Sequence, residues 1–343
     1  MTTFRGALKP FAASLFTIAV LLGVGADHIK PAAAESILLA HPQPTDHIYH
    51  RLSEAFIENL AETTGGKYTV NYHPGGDLGG FDALYEQVME GVIPMAFTSA
   101  DSTLDPRLDL IFMSYLVDDW VSAKALYEVG GPMEGILNDI FRKFGVVSLG
   151  TVPAGFGGIA MRKGQGKIPV NFPEDASGLK LRVPGLPVAK VKYTAMGFSP
   201  VPIPFTEVYT AMQLGSIDAR AFAPIPEVWQ MRDVIESYVR TNEYFEATYW
   251  FVNAAWWDGL PDEDRAQIKA AADKTLADVW DMAVAIDDEY VTKVKDAGIA
   301  VVELTPEQMD KAKQAIWSAE LPYFEEKLGA DLFAEVKAAA GIQ

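Results

Sequence analysis

The sequence predicts an α/β protein with two lobes and exchanged chain segments. Short apolar runs alternate with longer helical patterns, as is typical of α/β folds with mostly parallel strands. Of the 343 residues, 309 follow a predicted leader of 34, which exceeds the usual size of one hydrophobic core. The pattern turns extended and glycine-rich at 146–158, and a second α/β unit follows. We therefore expect a ligand cleft at the strand ends between the lobes.

The first unit alternates strand and helix. Apolar side chains recur every four residues between Asp46 and Thr64, which indicates one face of a helix, and two glycines end it. From Lys67 to His73 apolar and polar residues alternate, as in a half-buried strand. In order, the predicted elements are a strand at 36–40, a helix at 46–64, a strand at 67–73, a helix at 81–90 and a strand at 95–98.

The second unit and the C-terminal tail are also mixed. An aromatic-rich run at 243–253 suits a strand that crosses back to the first lobe. Thr305 followed by Pro306 is a helix start signal, because proline is favoured at the first helical position. The predicted elements are a strand at 179–183, helices at 187–196 and 206–214, one long helix at 263–296 and a final helix after Thr305.

The N-terminus predicts export. Arg5 and Lys9 precede an uncharged, largely apolar run, and Ala32 and Ala34 supply the small residues that a signal peptidase requires. The apolar core is shorter than the roughly 20 residues that span a bilayer, so an uncleaved anchor is the less favoured alternative. We expect cleavage near Ala34 and a mature protein in the periplasm.

Composition excludes several classes of function. The net charge is −18, and it becomes −20 (25 basic against 45 acidic residues) once residues 1–34 are removed, which argues against nucleic acid or an anionic membrane as a partner. The chain has no cysteine, which excludes disulfides, thiolate metal sites and cysteine nucleophiles. We expect a monomer without a cofactor.

Motifs for metal binding or catalysis are missing from the sequence. The spacing of four histidines near the N-terminus of the mature chain matches no zinc signature (His41, His47, His50 and His73). The glycine-rich stretch 75–80 lacks the lysine of a phosphate-binding loop, and no nucleophile motif occurs. An enzyme that acts on small acids is therefore a weak alternative to a binding protein.

Arg182 is the strongest local signal. It lies at the end of a short apolar strand, just before Pro184, which cannot extend a central sheet ladder. Burying such a cation is costly unless it has an anionic partner. An internal salt bridge and a bidentate pair with a ligand carboxylate explain its placement equally well from the sequence pattern.

The chain resembles the DctP-like solute-binding proteins of TRAP (tripartite ATP-independent periplasmic) transporters. The resemblance covers nearly the whole mature chain and is most specific at 178–184 and at 202–209, with a further match at 257–261. It implies the two-lobed periplasmic binding protein fold, with a hinge, a long connecting helix and closure around a carboxylate. It also implies delivery of the ligand to integral-membrane permease subunits, although a sensor for a membrane receptor would use the same closure.

The resemblance also assigns lobes and site residues. It implies that the first lobe comprises 35–157 and about 247–287, and the second about 158–246 and 288–343. Arg182 matches the arginine that binds the carboxylate, Arg162 corresponds to a second pocket arginine of some members, and Phe205 matches an aromatic residue that packs on the ligand.

Departures from the family pattern predict an apolar ligand. Phe222 replaces a polar contact of sialic-acid binders, and Phe81 and Ser99 fall where those members carry acidic residues. A sugar acid would leave its hydroxyl groups unpaired against such walls. We expect an aromatic box around a flat or apolar acid, with Arg182 at one end; its members would be Phe156, Phe205, Phe222, Trp229 and Tyr249. The alternative for Trp229 and Tyr249 is that each fills the core of its lobe.

Overall fold

The computed structural model describes residues 34–342, which form two β-sheets surrounded by helices. Apart from Ala34, the predicted leader lies outside this range. Within it, no helix combines the length and the apolar character needed to cross a membrane.

The first sheet has five strands, in the order β2-β1-β3-β10-β4. Its strands are β1 (Glu35–Ala40), β2 (Tyr68–His73), β3 (Met95–Thr98), β4 (Val146–Phe156) and β10 (Phe245–Asn253). The helices of the same chain segments are α1 (Ile48–Thr64), α2 (Phe81–Met89), α3 (Trp120–Tyr127), α4 (Pro132–Lys143), α8 (Ala254–Gly259) and α9 (Asp262–Leu276), with a 3₁₀ helix at Pro106–Phe112.

The second sheet has six strands, in the order β11-β9-β5-β8-β6-β7. Its strands are β5 (Ile159–Arg162), β6 (Lys180–Val183), β7 (Ser199–Pro202), β8 (Ala219–Arg220), β9 (Ile235–Arg240) and β11 (Ala300–Glu303). The accompanying helices are α5 (Pro187–Ala195), α6 (Val208–Leu214), α7 (Ile225–Gln230), α10 (Val279–Asp296), α11 (Pro306–Leu328) and α12 (Ala330–Ala339), with 3₁₀ turns at Glu174–Ala176 and Phe205–Glu207.

The helical face predicted between Asp46 and Thr64 is confirmed in α1. Its four-residue stripe is buried against the first sheet, and Phe56 meets Trp250 of β10 edge to face, with ring centroids 4.6 Å apart. Burial of one large apolar side chain contributes about 1.5–3 kcal/mol, so this stripe fixes α1 on the sheet.

Both sheets are mixed rather than mostly parallel. Strand β10 runs antiparallel to both of its neighbours in the first sheet, and β5 does so in the second, while the other pairings are parallel. Each of these strands receives the chain as it crosses from one sheet to the other. Local patterns reveal a strand but not its direction, which depends on where the chain enters the sheet.

The single helix predicted at 263–296 is wrong, because α9 ends at Leu276 and α10 begins at Val279. The two helices have different partners: α9 packs on α1, whereas α10 contacts α7, β4 and β11. Helix α10 is therefore the connecting helix that touches both sheets. The helix start at Thr305 is confirmed, with a capping box in which Thr305 and Gln308 satisfy each other's backbone N–H groups.

Two crossing segments lie side by side between the sheets. The N–H of Gly157 donates to the carbonyl oxygen of Tyr244 at 2.7 Å, and a Cβ atom on Gly158 would lie only 2.5 Å from the carbonyl oxygen of Val239. Glycine is required at position 158 by this close approach of two backbones. The lobe boundaries given above stay a prediction.

We expect Gly158→Ala to lower the free energy of unfolding by about 1–3 kcal/mol, because the added methyl group overpacks the crossing. Urea unfolding of the purified protein measures this. Gly135→Ala is the matched control: Gly135 lies in α4 with open space around it, and alanine there should be neutral or stabilising by up to about 1 kcal/mol. Equal stability of the Gly158 variant and the parent would contradict the close approach.

Candidate ligand-binding site

A cavity of about 220 Å³ lies where strands of both sheets end. Ser99 follows β3 of the first sheet, Arg182 and Pro184 lie at the end of β6 of the second, and Phe222 follows β8. The site is therefore at the carboxyl ends of parallel strands, where α/β folds bind ligands. Its lining residues are Gly80, Phe81, Asp82, Ala83, Ser99, Ala100, Phe112, Arg182, Pro184, Gly185, Leu186, Pro204, Phe205, Thr206, Phe222, Glu227, Tyr244 and Glu246.

Five aromatic rings form the apolar part of the wall. Phe222 lies against Tyr244 with centroids 4.6 Å apart, and Phe112 is 5.9 Å from Phe222. Across the cavity, Phe81 of α2 meets Phe205 edge to face at 5.5 Å. Such rings favour a flat or apolar ligand body over a polyhydroxylated one, because sugar hydroxyls would lack partners here.

The Phe222 backbone adopts the left-handed conformation, with φ 53°. This is rare for a bulky residue and costs of order 1–3 kcal/mol, so neighbouring groups must hold it in place. Nη2 of Arg220 donates to the carbonyl oxygen of Phe222 at 2.7 Å, and the ammonium group of Lys192 lies 4.7 Å from the ring centroid. These contacts fix the direction in which the Phe222 ring faces the cavity.

Arg182 lines the cavity and is only 3 % exposed. Its Nε donates to the carbonyl oxygen of Ile203 at 2.8 Å, but no protein acceptor among residues 34–342 lies within hydrogen-bond distance of its two Nη atoms. Burial, with the like charge of Arg220 beside it, lowers the pKa of Arg182 to about 9. The guanidinium is charged at neutral pH and lacks a counter-ion, so an anion in the cavity would stabilise it.

Arg220 is the arginine that forms the internal salt bridge. It lies opposite Arg182 on the adjacent parallel strand, is fully buried, and forms an ion pair with Glu227 of α7. The other carboxylate oxygen of Glu227 accepts a hydrogen bond from Nε2 of Gln43 at 2.5 Å. Of two neighbouring arginines, one is thus neutralised by the protein and the other is left for a ligand.

Glu246 adds a buried acid to the cavity, and its environment favours the uncharged form. It is 6 % exposed, and burial, with the negative charge of Glu227 nearby, raises its pKa well above the usual range. Among the described residues that line the cavity, Arg182 is the only cation; Glu227 is paired with Arg220, and the Asp82 carboxylate acts on Arg182 without forming an ion pair. The positive charge of Arg182 fits one ligand carboxylate.

Two of the predicted site residues lie away from the cavity for reasons of strand geometry. Arg162 donates to the carbonyl oxygens of Ile217 and Lys163 and lies 4.0 Å from Asp218. Strand β5 runs antiparallel to β8, and Ala160 near the start of β5 pairs with Arg220. Arg162, at the other end of β5, therefore lies farther from the cavity. Tyr249 faces Phe141, on the opposite side of β10 from Glu246, because side chains alternate along a strand.

Phe156 and Trp229, which were also predicted for the aromatic box, pack away from the cavity as well. Phe156 contacts Trp120 and Phe245, with ring centroids 5.8 and 5.0 Å away. Trp229 contacts Tyr290 of α10, since two residues along a helix turn it about 200° from Glu227. The structure therefore brings together Phe81, Ser99, Arg182, Phe205 and Phe222, and separates Phe156, Arg162, Trp229 and Tyr249 from them.

Sequence reasoning missed several residues of the site or its support, including Phe112, Arg220, Glu227, Tyr244 and Glu246. Phe112 lies in a 3₁₀ helix that no periodic pattern indicates, and Arg220 with its partner Glu227 has no local signature. Tyr244 and Glu246 do have a signal, because they begin the aromatic run at 243–253, but their facing depends on the strand register.

The histidines form a separate group near α1. The Tyr72 hydroxyl lies 2.6 Å from Nε2 of His41 and 2.8 Å from Nδ1 of His50. Burial lowers the pKa of His41 to about 4 and that of His47 to about 3, so both are uncharged at neutral pH. Between residues 34 and 342, no three or more histidine, aspartate or glutamate side chains form a group that could hold a metal ion.

A cavity between strand ends of the two sheets, lined by a buried arginine that has no carboxylate partner among residues 34–342, suits a protein that binds a small anionic solute. The sequence model of DctP, bacterial extracellular solute-binding protein family 7, matches residues 39–326. The chain therefore belongs to this family, that of the TRAP-type periplasmic solute-binding proteins, which are transport components.

Similar proteins cover most of the chain. It is 27 % identical to the C4-dicarboxylate-binding periplasmic protein DctP of Shewanella loihica, over 92 % of each chain. It is 25 % identical to the 2,3-diketo-L-gulonate-binding periplasmic protein YiaO of Escherichia coli, over 82 % of this chain and 85 % of the relative. The crystal structure of a TRAP periplasmic solute-binding protein from Sulfurospirillum deleyianum with bound succinate superposes with a TM-score of 0.80, at 25 % identity, over 90 % of this chain and all of that one.

Proposed function

We propose that this protein captures a monoanionic organic acid with an aromatic or otherwise apolar body and delivers it to the integral-membrane permease subunits of a TRAP transporter. Arg182 binds the ligand carboxylate through its two Nη atoms, and the lobes close around the ligand. The protein acts in the periplasm as a monomer, after removal of a leader near Ala34.

The observation that carries this proposal is the unpaired guanidinium of Arg182. The two Nη groups of a planar guanidinium can donate two parallel hydrogen bonds to one carboxylate. The neighbouring Arg220 is committed to Glu227 and to the Phe222 carbonyl, so it offers no second strong anion site. One free cation favours a monocarboxylate over the dicarboxylates that some relatives bind, because a second carboxylate would be buried without a partner.

Cavity size and wall chemistry support the apolar body. A dry protein cavity of about 150 Å³ accommodates benzene, and this one measures about 220 Å³. The rings of Phe112, Phe205 and Phe222 would contact such a body. The contact of Phe81 with Phe205, and the bond from Gln43 to Glu227, join segments of the two sheets at the edge of the cavity, as closure requires.

A thermal-shift screen of organic acids tests the ligand class. We expect aromatic and apolar monocarboxylates to raise the melting temperature more than C4 dicarboxylates or sugar acids, because ligand that binds only the folded state stabilises it. At 100 times its dissociation constant, such a ligand adds about 2.7 kcal/mol. A screen in which only dicarboxylates or hydroxylated sugar acids shift the curve would overturn the proposed class.

A further inference from the structure

Glu246 is an acid of the cavity, and one of its carboxyl oxygens has no hydrogen-bond partner among residues 34–342. It lies near the start of β10, its side chain is nine-tenths buried, and it lines the same cavity as Arg182. Its Oε1 is enclosed, and no donor in the described part of the chain reaches it. Buried polar atoms nearly always have partners, so a carboxyl group left in this state points to a ligand atom as the partner.

The neighbours of Glu246 are engaged with other groups, although the Tyr49 hydroxyl is close enough to the carboxyl group to lower its pKa. The charged and titratable groups that face it are Glu227 from α7, Arg220 from β8, Arg182 from β6, Tyr49 from α1 and Tyr244 beside it in sequence. Arg220 and Glu227 are bonded to each other, Tyr49 donates its hydroxyl to Thr248, and Arg182 donates its Nε to a backbone carbonyl.

The protonation state of Glu246 follows from this environment. Burial is the largest cause of its raised pKa and the carboxylate of Glu227 adds to it, while the two arginines and the Tyr49 hydroxyl oppose it more weakly. This environment favours the protonated form of the carboxyl group. A protonated carboxyl group has one O–H donor, which ionised glutamate lacks.

We propose that Glu246 is a second ligand-contacting residue of this cavity, which donates a hydrogen bond to an oxygen atom of the acid held by Arg182. This inference rests on the proposed function, since it assumes that a carboxylate compound occupies the cavity. It restricts the ligand to a monoanion with an acceptor oxygen within reach of both residues. It also disfavours a zwitterion, because an ammonium group beside Glu246 would be bound best by the ionised carboxylate.

Infrared difference spectroscopy of the ligand-free protein tests the protonated state without any ligand. At pH 7 the spectrum of the wild type minus that of E246Q should contain the carbonyl stretching band of a buried protonated carboxyl group, because the band of the buried Glu320, whose pKa burial raises to about 7, is common to both proteins and cancels. E62Q is the control, because Glu62 of α1 is a solvent-facing glutamate whose replacement should leave the band unchanged. A difference spectrum without this band would overturn the inference and leave the role of Arg182 untouched.

Calorimetric titration with benzoate, the simplest aromatic monocarboxylate, tests the contact. We expect E246A to bind benzoate about 10-fold or more weakly than the wild type, and E246Q to recover most of that loss because its amide N–H replaces the donor. Alkaline pH should weaken binding by both proteins as Arg182, whose pKa is about 9, loses its proton, and the wild type should show an additional loss from the ionisation of Glu246 that E246Q lacks. E246A that binds as tightly as the wild type would show that Glu246 does not touch the ligand. Loss of binding in E246Q would instead indicate an ionised carboxylate that binds a cationic group. Either result overturns the inference, whereas undiminished benzoate binding by R182A overturns the proposed function.

Discussion

Arg182→Ala is expected to weaken binding of the acid that ranks first in the thermal-shift screen by about 2–5 kcal/mol, or roughly 30- to several-thousand-fold. The mutation removes both Nη groups that donate to the ligand carboxylate, and it leaves that carboxylate buried without a counter-charge. Isothermal titration calorimetry at neutral pH measures the change. Arg182→Lys should recover only part of the affinity, since an ammonium group cannot form the two parallel bonds.

The matched control is Arg162→Ala. Arg162 is also an arginine on a strand of the second sheet, but its side chain bonds to backbone carbonyls away from the cavity. We expect this variant to bind the acid as the wild type does. If Arg182→Ala retained wild-type affinity, or if Arg162→Ala lost it, the carboxylate anchor would have been assigned to the wrong residue.

Arg220→Met is expected to lower the free energy of unfolding by about 3–5 kcal/mol, because it leaves the buried Glu227 carboxylate without its ion-pair partner. This is a large part of the total stability of a typical protein, about 5–15 kcal/mol. The Phe222 carbonyl also loses its donor, which loosens a backbone already in the left-handed region. Urea unfolding at neutral pH, followed by circular dichroism, measures the effect.

The double variant Arg220→Met with Glu227→Gln separates the charge effect from packing. Replacing both charges removes the unpaired carboxylate, so the double variant should recover much of the lost stability. Arg182→Ala should destabilise the protein far less than Arg220→Met, because it removes a buried cation that has no counter-ion. Equal destabilisation by the two single substitutions would contradict the division of roles between the arginines.

The aromatic wall of the cavity shows how much of the site the sequence could predict. Phe81, Phe205 and Phe222 were expected near the ligand from the resemblance, and all three line the cavity. Tyr249 was expected with them but faces Phe141, because one strand places consecutive side chains on opposite faces. The sequence of β10 is apolar on both sides, so nothing in its pattern distinguishes the cavity side from the core side.

The same limit explains the error at the long helix. Residues 263–296 have helical periodicity throughout, yet the chain turns at Ala277 and Asp278 so that α9 and α10 meet different partners. Helix periodicity depends on neighbours three and four positions apart. A change of direction depends on what each half packs against, which is α1 for α9 and α7, β4 and β11 for α10, and local periodicity does not encode these contacts.

Residues close together in the chain were enough to predict the alternation of strands and helices, the apolar face of α1, the start of α11 at Thr305 and the position of Arg182 at a strand end. Each depends on residues within one turn or one strand of each other. The pairing of Arg220 with Glu227, which leaves Arg182 unpaired among residues 34–342, is visible only in the folded protein, because the two arginines are neighbours through the pairing of β6 with β8. Strand order and register, set by contacts across the whole chain, thus decide which cation is left for the ligand.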